Sequence, residues 1–489
     1  MPTVSVIGAG FSGLSAAACL AQSGYDVTVY EKHETPGGRA RQLIVDGFVF
    51  DMGPSWYWMP DVFEKFYARF GKKASDFYEL KRLDPSYRIF FSGTDTLDVP
   101  AGIDALYDMF EQRERGSSRH LRKFLEAARF KYETGMNNLV YKPGLSLTEL
   151  FDKDVLKGFF RLQLLSPLSG TIRKHIKDPG LVHLLEFPAL FLGATASRIP
   201  ALYSLMNYAD LCLGTWYPIG GMYKIVEAMY AIAREQGVKF LPGSEVTGFK
   251  FSTAGITSIV ANGNEVATDL VIASADYQHV EQRLLPKHLR KYSGVYWENR
   301  KMAPSAILFY LGINKTLSGL LHHNLFFDED FERHASDIYQ EPRWPEKPLF
   351  YLCCPSKTDS TVAPVGYENV FILIPTASGL ADDENIREHY YNLVISRLEI
   401  LTRQTIRPHV VFKKSYAHRD FVADYHAFKG NAYGLANTLS QTANLKPSIV
   451  NKNVPNLFYT GQLTVPGPGV PPSIISGQVV AGEIMKRRN

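Results

Sequence analysis

Cysteine is scarce in this sequence. The 489 residues contain four cysteines, Cys19, Cys212, Cys353 and Cys354, and their spacings match neither a disulfide framework nor a zinc motif. The last two are adjacent, so as neighbours on a strand they would point to opposite faces. We therefore expect a protein of the reducing cytosol. The chain enters a strand-like segment within its first residues, which argues against an export signal.

Long apolar runs are also missing. A membrane-spanning helix needs about 20 predominantly apolar residues, and no window of the sequence provides them. The nearest approach, residues 181–214, is interrupted by charged residues and prolines. We expect a chain that does not cross a bilayer, although it could still lie on one.

Neither sign of charge is in large excess. The chain has 53 Lys and Arg against 49 Asp and Glu, a formal net charge of +4. Nucleic-acid binding requires a concentrated basic surface, so nucleic acid is not an expected partner. The adjacent His322 and His323 have no third ligand at a useful spacing, so we expect a surface pair and no metal site.

The most informative pattern lies at the N-terminus. An apolar run at residues 4–7 is followed by Gly8, Gly10 and Gly13, an Ala- and Leu-rich stretch, and a second apolar run that ends in Glu31. This is the Rossmann order, in which the glycines permit a tight turn, approach to a pyrophosphate and close packing of helix on strand. Glu31 lies 18 residues after Gly13, where a carboxylate accepts hydrogen bonds from ribose hydroxyls. An acid there disfavours the 2′-phosphate of NADP.

A second glycine-rich block spans residues 35–56. It contains Gly38 and Arg39, and it ends with Gly-Pro-Ser-Trp at residues 53–56. The block resembles the second signature of the superfamily of FAD-containing amine oxidases and carotenoid desaturases. The resemblance implies that Gly38 and Arg39 meet the FAD diphosphate and that residues 53–56 lie near the isoalloxazine ring. A guanidinium that donates two parallel hydrogen bonds suits a phosphate, whereas core packing is an equally open role for Trp56.

A third block, residues 216–276, carries the same resemblance. Its Pro-x-Gly-Gly element at residues 218–221 looks like the return of the chain from a cap to the nucleotide domain. Val246 occupies the position of a residue whose backbone meets the adenine in similar FAD proteins. Asn262 and Gly263 predict a tight hairpin turn.

The fourth block, residues 456–477, resembles the terminal FAD-binding strand, loop and helix of carotenoid desaturases. Three prolines and two glycines between Pro466 and Pro471 suit an extended loop that lines a flavin with little side-chain bulk. The predicted cofactor residues from all blocks are Gly8, Gly10, Phe11, Ser12, Gly13, Glu31, Lys32, Gly38, Arg39, Gly53, Pro54, Ser55, Trp56, Val246, Gly461, Gln462, Gly469, Val470 and Pro471.

Together the blocks are similar, over essentially the full length, to the bacterial-type carotenoid desaturases. At 489 residues the chain is expected to form two or three interleaved domains. The resemblance implies an α/β fold with an FAD-binding Rossmann-type domain, a mixed-sheet substrate domain and a helical, membrane-associating cap. We assign residues 1–70, 216–300 and 450–489 to the first, 71–100 and 301–449 to the second, and 101–215 to the cap.

The cap contains basic residues beside aromatic and leucine side chains. Lys153, Lys157 and Arg161 lie in such a segment, and a second cationic group follows at residues 173–177. This composition suits a helix on an anionic membrane surface, and it equally suits a helix docked on the protein with its lysines outward. The first alternative implies a cytoplasmic protein bound peripherally to the inner face of the cell membrane.

The activity that the resemblance implies is desaturation of a C40 polyene. We expect hydride transfer from an allylic carbon to flavin N5 and loss of a proton from the neighbouring carbon, because the sequence shows no other reactive constellation. Phytoene is the first candidate substrate, and a late-step 3,4-desaturation of a hydroxylated or monocyclic carotenoid is the alternative. Glu149 is a candidate acid/base residue, with a helix-start glutamate as the simpler explanation. Oxygen or a quinone is the expected electron acceptor.

Three other functions share this sequence pattern. A flavin amine oxidase would oxidise soluble amines and release hydrogen peroxide. A carotenoid isomerase would use reduced flavin without net oxidation. A carotenoid-binding membrane protein would retain FAD without catalysis.

Overall fold

The computed structural model describes residues 1–146, 163 and 166–488. The strands are β1 Thr3–Ile7, β2 Asp26–Tyr30, β3 Gln42–Val45, β4 Phe48–Asp51, β5 Leu80–Arg82, β6 Tyr87–Phe90, β7 Thr96–Val99, β8 Trp216–Pro218, β9 Lys239–Leu241, β10 Val246–Ser252, β11 Gly255–Ala261, β12 Asn264–Ala267, β13 Leu270–Ala273, β14 Ser305–Ile313, β15 His323–Phe326, β16 Phe350–Cys353, β17 Glu368–Thr376, β18 Val410–Tyr416 and β19 Leu457–Tyr459. The helices are α1 Phe11–Gln22, α2 Pro60–Ala68, α3 Ile103–Arg113, α4 Ser117–Thr134, α5 Leu168–Arg173, α6 Pro179–Glu186, α7 Pro188–Leu192, α8 Leu205–Leu211, α9 Tyr223–Glu235, α10 Tyr277–His279, α11 Gly294–Glu298, α12 Phe331–Tyr339, α13 Glu384–Thr402, α14 His418–Tyr425 and α15 Val470–Arg488.

A five-stranded parallel sheet contains both ends of the chain. Its order is β19-β13-β1-β2-β9, and all four pairings are parallel. Side chains of β1 alternate between its two faces. Val4 and Val6 pack towards α1, α9 and α15, whereas Ile7 packs towards the other side. The strand, glycine turn, helix and strand expected at the N-terminus are therefore present.

A small antiparallel sheet, β10-β11-β12, covers the second face of the parallel sheet. Its hairpin turns at Asn262 and Gly263, whose φ angles are 48° and 79°. Positive φ at both positions is the requirement of the tightest hairpin turns, and Asn-Gly satisfies it at low cost. The hairpin predicted from this dipeptide is confirmed.

A seven-stranded sheet lies in the second half of the molecule. Its order is β18-β14-β17-β16-β15-β6-β7, with β15 and β6 parallel and the other neighbours antiparallel. Every residue of β14 and β17 is buried. Ile307 and Phe309 face α13, whereas Leu308 and Tyr310 face the other way, towards the helices of the cap.

The cap helices α3 to α7 pack on the mixed sheet through leucines such as Leu121 and Leu184. Arg173, from the second cationic group, forms ion pairs with the buried Glu186 and with Glu332, so the protein itself provides its counter-charges. In the described part of the chain, no helix combines the length and the apolar character that a membrane span requires. Glu149 and the basic segment at residues 153–161 lie outside the described residues.

His322 and His323 are not on the surface, so that prediction is wrong. The exposed fraction is 5% for His322 and 0% for His323. The reason is topological, because β15 begins at His323 and lies in the interior of the mixed sheet, between β16 and β6. Two adjacent histidines in the sequence do not reveal that the strand that begins there is hydrogen-bonded to a neighbour on each side.

Candidate functional site

One cavity of about 910 Å³ extends from the parallel sheet into the space between the mixed sheet and the cap. This volume lies near the upper end of the roughly 300–1,000 Å³ typical of ligand pockets. One end is formed where β1, β2, β13 and β19 finish, by residues that include Gly8, Glu31, Asp276 and Gly461. Ligands of open α/β sheets bind at the carboxyl ends of the strands, so the cavity lies where the Rossmann pattern predicts a nucleotide.

The glycine turn shapes this end of the cavity. The backbone of Gly8 has a φ of 98°, and a Cβ at Gly13 would lie 2.1 Å from the Gly8 oxygen. The Cβ position of Gly10 has no atom within 4 Å. Helix α1 begins after Gly10 without a side-chain cap, so its first amide groups are free of a local acceptor and favour an anion.

The second glycine block packs directly on the first. Gly37 donates a backbone hydrogen bond of 2.8 Å to the Ala9 oxygen, and a Cβ on Gly38 would lie 3.4 Å from the Gly10 Cα atom. Gly37 and Gly38 also have φ angles of 119° and 56°, a region in which a side chain would be strained. Backbone groups of both blocks therefore line the same end of the cavity.

Glu31 is held at the cavity edge by backbone amides. Its Oε2 atom accepts a hydrogen bond of 2.7 Å from the Ala9 amide, and its Oε1 atom accepts one of 2.9 Å from the His33 amide. A carboxylate oxygen has two lone pairs, so each oxygen can accept one further hydrogen bond. This geometry fits a ligand that presents hydroxyl donors.

Arg39 is a partly buried cation that forms no close ion pair with the described residues. Its guanidinium lies 5.1 Å from the centre of the Tyr425 ring, and Nη2 donates a 3.4 Å hydrogen bond to the Asn431 oxygen. The buried Nε has no partner among the described residues. Burial lowers the pKa of Arg39 and nearby Asp276 opposes this effect, but a guanidinium stays charged in proteins. An orphaned donor on a fixed cation fits a phosphate group.

Trp56 and Ser55 form part of the wall further along the cavity. The Trp56 ring stacks on the His323 ring, with centroids 4.1 Å apart and an angle of 10° between the planes. The Tyr351 hydroxyl donates a 3.0 Å hydrogen bond to Ser55 Oγ. For Trp56, the structure combines the two roles that the sequence left open, because one side of the ring packs on the core while the residue also lines the cavity.

The C-terminal loop also lines the cavity. Gly461, Gly467 and Gly469 have φ angles of 107°, 136° and 113°, a region in which a side chain would be strained. The Gly461 amide donates a 3.0 Å hydrogen bond to Ser476 Oγ, which ties the loop to α15. The loop thus exposes backbone to the cavity and is itself fixed.

Two buried polar groups beside this loop have no partner among the described residues. They are Lys446 Nζ and Asn437 Oδ1, and each lies 3.3 Å from the Cβ position of Gly467. Burial lowers the pKa of Lys446 to about 7. Buried polar atoms are almost always satisfied, so this pair indicates a ligand or water next to the loop. No spacing in the sequence pointed to either residue.

The far end of the cavity is apolar. Its wall comes from α7, α8 and the turn before it, α14, the mixed sheet and the described cap residues near residue 140. These residues include Leu139, Val140, Pro188, Phe191, Leu192, Leu202, Leu205, Met206, Leu308, Phe371, Leu373 and Phe421. A hydrocarbon could occupy this end without leaving a polar group of its own unpaired.

Ionisable side chains gather at the nucleotide end. The rings of His279 and His426 stack with centroids 3.9 Å apart, and His426 Nε2 lies 2.8 Å from Glu245 Oε1. Burial, reinforced by His426, lowers the pKa of His279 to about 4. His279 is therefore neutral at pH 7, and Glu245, His279 and His426 line the cavity together with Val246.

The structure brings the predicted cofactor residues together. All of them line the cavity except Gly13, which packs behind the turn, although the sequence positions run from residue 8 to residue 471. Glu149 lies outside the described residues. Sequence reasoning missed Tyr351, Tyr425 and Phe191, because a single aromatic residue in a strand or helix carries no signal that distinguishes a cavity wall from the core.

Comparison with known proteins agrees with this geometry. Residues 11–485 match the family of flavin containing amine oxidoreductases. A carotenoid 3,4-desaturase of Haloarcula japonica is 41% identical over 484 residues, which cover 99% of this chain and 98% of that protein. A zeta-carotene-forming phytoene desaturase of Myxococcus xanthus is 31% identical and covers 99% of this chain and 93% of its own.

Solved structures show the same fold at low sequence identity. An oxidoreductase from Methanosarcina mazei matches with a TM-score of 0.63 at 16% identity, covering 99% of this chain and 100% of that one. Putrescine oxidase with bound putrescine matches with a TM-score of 0.57 at 15% identity, covering 99% of each chain. At such identities the likeness concerns the fold alone.

The chain therefore belongs to the flavin containing amine oxidoreductase family. Within that family it is a carotenoid desaturase of the bacterial type, an FAD-dependent oxidoreductase acting on CH–CH groups. The cavity fits this cofactor, because it offers free helix amides and an unpaired guanidinium at one end and bare loop backbone along its wall.

Proposed function

We propose that this protein is a late-step carotenoid 3,4-desaturase that acts on a hydroxylated or monocyclic carotenoid. The main support is the 41% identity to the Haloarcula japonica enzyme over nearly the whole of both chains. Phytoene, the first candidate from the sequence, is the second proposal, supported by the 31% identity to the Myxococcus xanthus enzyme. The relatives thus favour late-step 3,4-desaturation over desaturation of phytoene.

The side chains and backbone of this protein hold and orient the reactants. FAD, when bound, supplies the two-electron oxidant that accepts a hydride. Arg39 and the amides at the start of α1 would hold the diphosphate, and Glu31 would accept hydrogen bonds from the ribose. The fixed C-terminal loop and Trp56 would position the ring region against the polyene. Orientation and exclusion of water are the contributions expected of a site with few reactive side chains.

The apolar wall determines which polyene fits and in which register. Phe191, Leu308 and Phe371 offer no hydrogen bonds from their side chains, so selection depends on the length and width of the cavity. Discrimination by apolar walls amounts to about 1–3 kcal/mol per methylene. We therefore expect the protein to accept several related carotenoids at different rates.

The second hydrogen leaves the substrate as a proton. Glu149 is the proposed acceptor, on the resemblance alone. Single-turnover reduction of the bound flavin by substrate is the measurement, and it should slow by 10²-fold or more in Glu149→Gln if the residue acts as general base. An unchanged rate would remove Glu149 from the mechanism.

We propose that the protein works on the inner face of the cell membrane. The support is the poor water solubility of a C40 hydrocarbon together with the basic and aromatic composition of residues 150–165. Flotation with anionic vesicles tests it: the protein should rise with the vesicles, and replacement of Lys153, Lys157 and Arg161 by Gln should leave it at the bottom. Unchanged flotation of that variant would assign binding to another surface.

Oxygen or a membrane quinone is the proposed electron acceptor, because the chain carries one dinucleotide fingerprint. Reoxidation of the reduced flavoprotein can be followed by stopped flow with oxygen, a quinone or NAD⁺ in turn. Fast reoxidation by NAD⁺ alone would contradict the proposal.

The decisive experiment offers carotenoids to the FAD-loaded protein in vesicles. A hydroxylated or monocyclic carotenoid should gain one conjugated double bond, seen as a red shift in absorption, faster than phytoene is converted. Faster conversion of phytoene would reverse the order of the two candidates. The same protein separates the three other functions. An isomerase would change the cis or trans geometry of the polyene double bonds under anaerobic conditions without net oxidation. An amine oxidase would release hydrogen peroxide from simple amines, and a non-catalytic carotenoid-binding protein would leave the flavin unbleached by any polyene.

A further inference from the structure

Three potential metal ligands meet behind the Trp56 wall. His322 immediately precedes β15, His323 is its first residue, and Cys353 is the last residue of β16. The antiparallel register pairs His323 directly with Cys353. The exposed fraction of Cys353 is 2%. One ligand atom from each of the three residues lies within 4.8 Å of the other two.

Both imidazole rings are anchored through the same nitrogen. His322 Nδ1 lies 2.8 Å from Thr358 Oγ1, and His323 Nδ1 lies 2.7 Å from Tyr351 Oη. The Nε2 atoms of both rings are buried and have no partner among the described residues. A histidine that binds a metal ion usually anchors its second nitrogen by a hydrogen bond, and two buried nitrogens side by side are costly unless an ion or a water satisfies them.

A metal ion binds the neutral form of imidazole and the thiolate form of cysteine, so a cation in this site would displace the thiol proton of Cys353.

We propose that His322, His323 and Cys353 bind one thiophilic d10 metal ion, Cu⁺ or Zn²⁺. Two imidazoles and a thiolate select such ions over Mg²⁺ or Ca²⁺, which take oxygen ligands. Cu⁺ suits the site best, since one thiolate makes its complex neutral and so lowers the cost of burial. Zn²⁺ would require a fourth ligand, such as a water molecule.

The ion would stiffen the wall of the functional cavity. Coordination at roughly 2.0–2.3 Å draws the three ligand atoms together and ties the start of β15 to the end of β16. His323 stacks on Trp56, and Tyr351 links His323 to Ser55. The metal site is thus a positioning device for residues 55 and 56, and it does not touch the cavity itself.

Metal content of the full chain, prepared without a histidine tag and loaded with FAD, tests the proposal. After growth in medium containing copper and zinc, mass spectrometry should find close to one copper or zinc ion per chain. Cys353→Ser should reduce this below roughly one tenth. The control is Cys354→Ser, because Cys354 is adjacent and buried but packs on the opposite face and hydrogen-bonds to Glu368.

The metal-depleted protein permits a second test that needs no substitution. Anaerobic titration with Cu⁺ or Zn²⁺ should saturate at one equivalent and release one proton from the Cys353 thiol, measurable by calorimetry in two buffers. X-ray absorption of the loaded wild-type protein should show one sulfur ligand near 2.3 Å. Bound Cu⁺ would establish a site with three protein ligands. Bound Zn²⁺ would establish a site with the same three ligands and an added water molecule.

Three outcomes would overturn the proposal. They are metal-free wild-type protein that takes up neither ion, equal metal content in the Cys353→Ser and wild-type proteins, and an absorption spectrum without sulfur. The X-ray absorption result stands even if the Cys353→Ser protein fails to fold. Failure here leaves the desaturase assignment untouched, because no step of that reaction uses the ion.

Discussion

The two ends of the cavity offer a ligand different kinds of chemical group. The nucleotide end presents backbone groups and glycines at the edge of a parallel sheet, together with Arg39 and Glu31. The far end uses apolar side chains from the mixed sheet and α7, and its described wall carries few polar groups. Backbone recognition tolerates few substitutions, because a single Cβ blocks it. Side-chain recognition of a hydrocarbon is graded, because each wall residue contributes only a small share of the contact.

If this contrast is correct, the largest effect should come from an added methyl group where α15 meets α1. A Cβ on Gly477 would lie 2.4 Å from the Ser12 oxygen, whereas a Cβ on Gly482, in the same helix, would meet nothing within 4 Å. Gly477→Ala should therefore lose about 3 kcal/mol of unfolding free energy and much of its FAD. Gly482→Ala should be neutral or gain up to about 1 kcal/mol. Denaturant titration measures the unfolding free energy of each variant, and flavin absorbance measures its FAD content. Equal stability of the two variants would contradict the close packing of Gly477 on α1.

The next largest effect should come from the cation at the nucleotide end. Arg39→Met removes charge-assisted hydrogen bonds to the diphosphate, which are worth about 1.5–3 kcal/mol, so the Kd for FAD should rise roughly 10- to 100-fold. Titration of the apoprotein with FAD, followed by flavin fluorescence, gives this value. Arg129→Met, at an exposed ion pair on α4, is the control. A Kd that does not change in Arg39→Met would show that the guanidinium does not meet the cofactor.

A buried acid between the cap and the mixed sheet should make stability depend on pH. Asp210 accepts hydrogen bonds from Tyr87 and Thr215, and burial raises its pKa from 3.8 to about 7. The native state therefore binds this proton more tightly than the unfolded chain. Stability is greatest below about pH 4 for this group and falls as the pH rises towards 7, by up to about 1.4 kcal/mol per pH unit.

Asp210→Asn isolates that contribution. Its unfolding free energy, measured with urea between pH 4 and 8, should depend less steeply on pH than that of the wild-type protein. Asp108→Asn, on the exposed side of α3, should keep the wild-type slope. Parallel curves for Asp210→Asn and the wild-type protein would mean that the carboxyl is not buried as described.

The smallest effect should come from the apolar wall. Phe191 packs against Phe187 and Tyr433, so Phe191→Leu should leave the FAD content unchanged. It should alter the ratio of kcat/KM between two carotenoids by no more than about 10-fold, the lower end of the discrimination that an apolar pocket achieves for one methylene. Ile400→Ala, with the side chain 71% exposed, is the control. Loss of FAD from Phe191→Leu would show that the two ends are not separable.

Local patterns predicted the parts of the fold whose geometry is local. The glycine turn and the Asn262-Gly263 hairpin follow from backbone requirements that few residues satisfy. The His322-His323 pair shows the limit of this approach. Its third potential ligand, Cys353, is 30 residues away and is brought opposite His323 by strand register, which no spacing in the sequence reveals.

The sequence by itself predicted where a dinucleotide would bind, since glycines at fixed offsets, an acid after the second strand and an arginine in the next block each meet a local steric or electrostatic requirement. Only the tertiary structure decided which apolar residues line the cavity and which form the core. Cavity-lining and core residues alternate in the same way between the two faces of β14 and β17, and both kinds are buried. The packing of the cap against the mixed sheet, rather than the chemistry of any one residue, separates them.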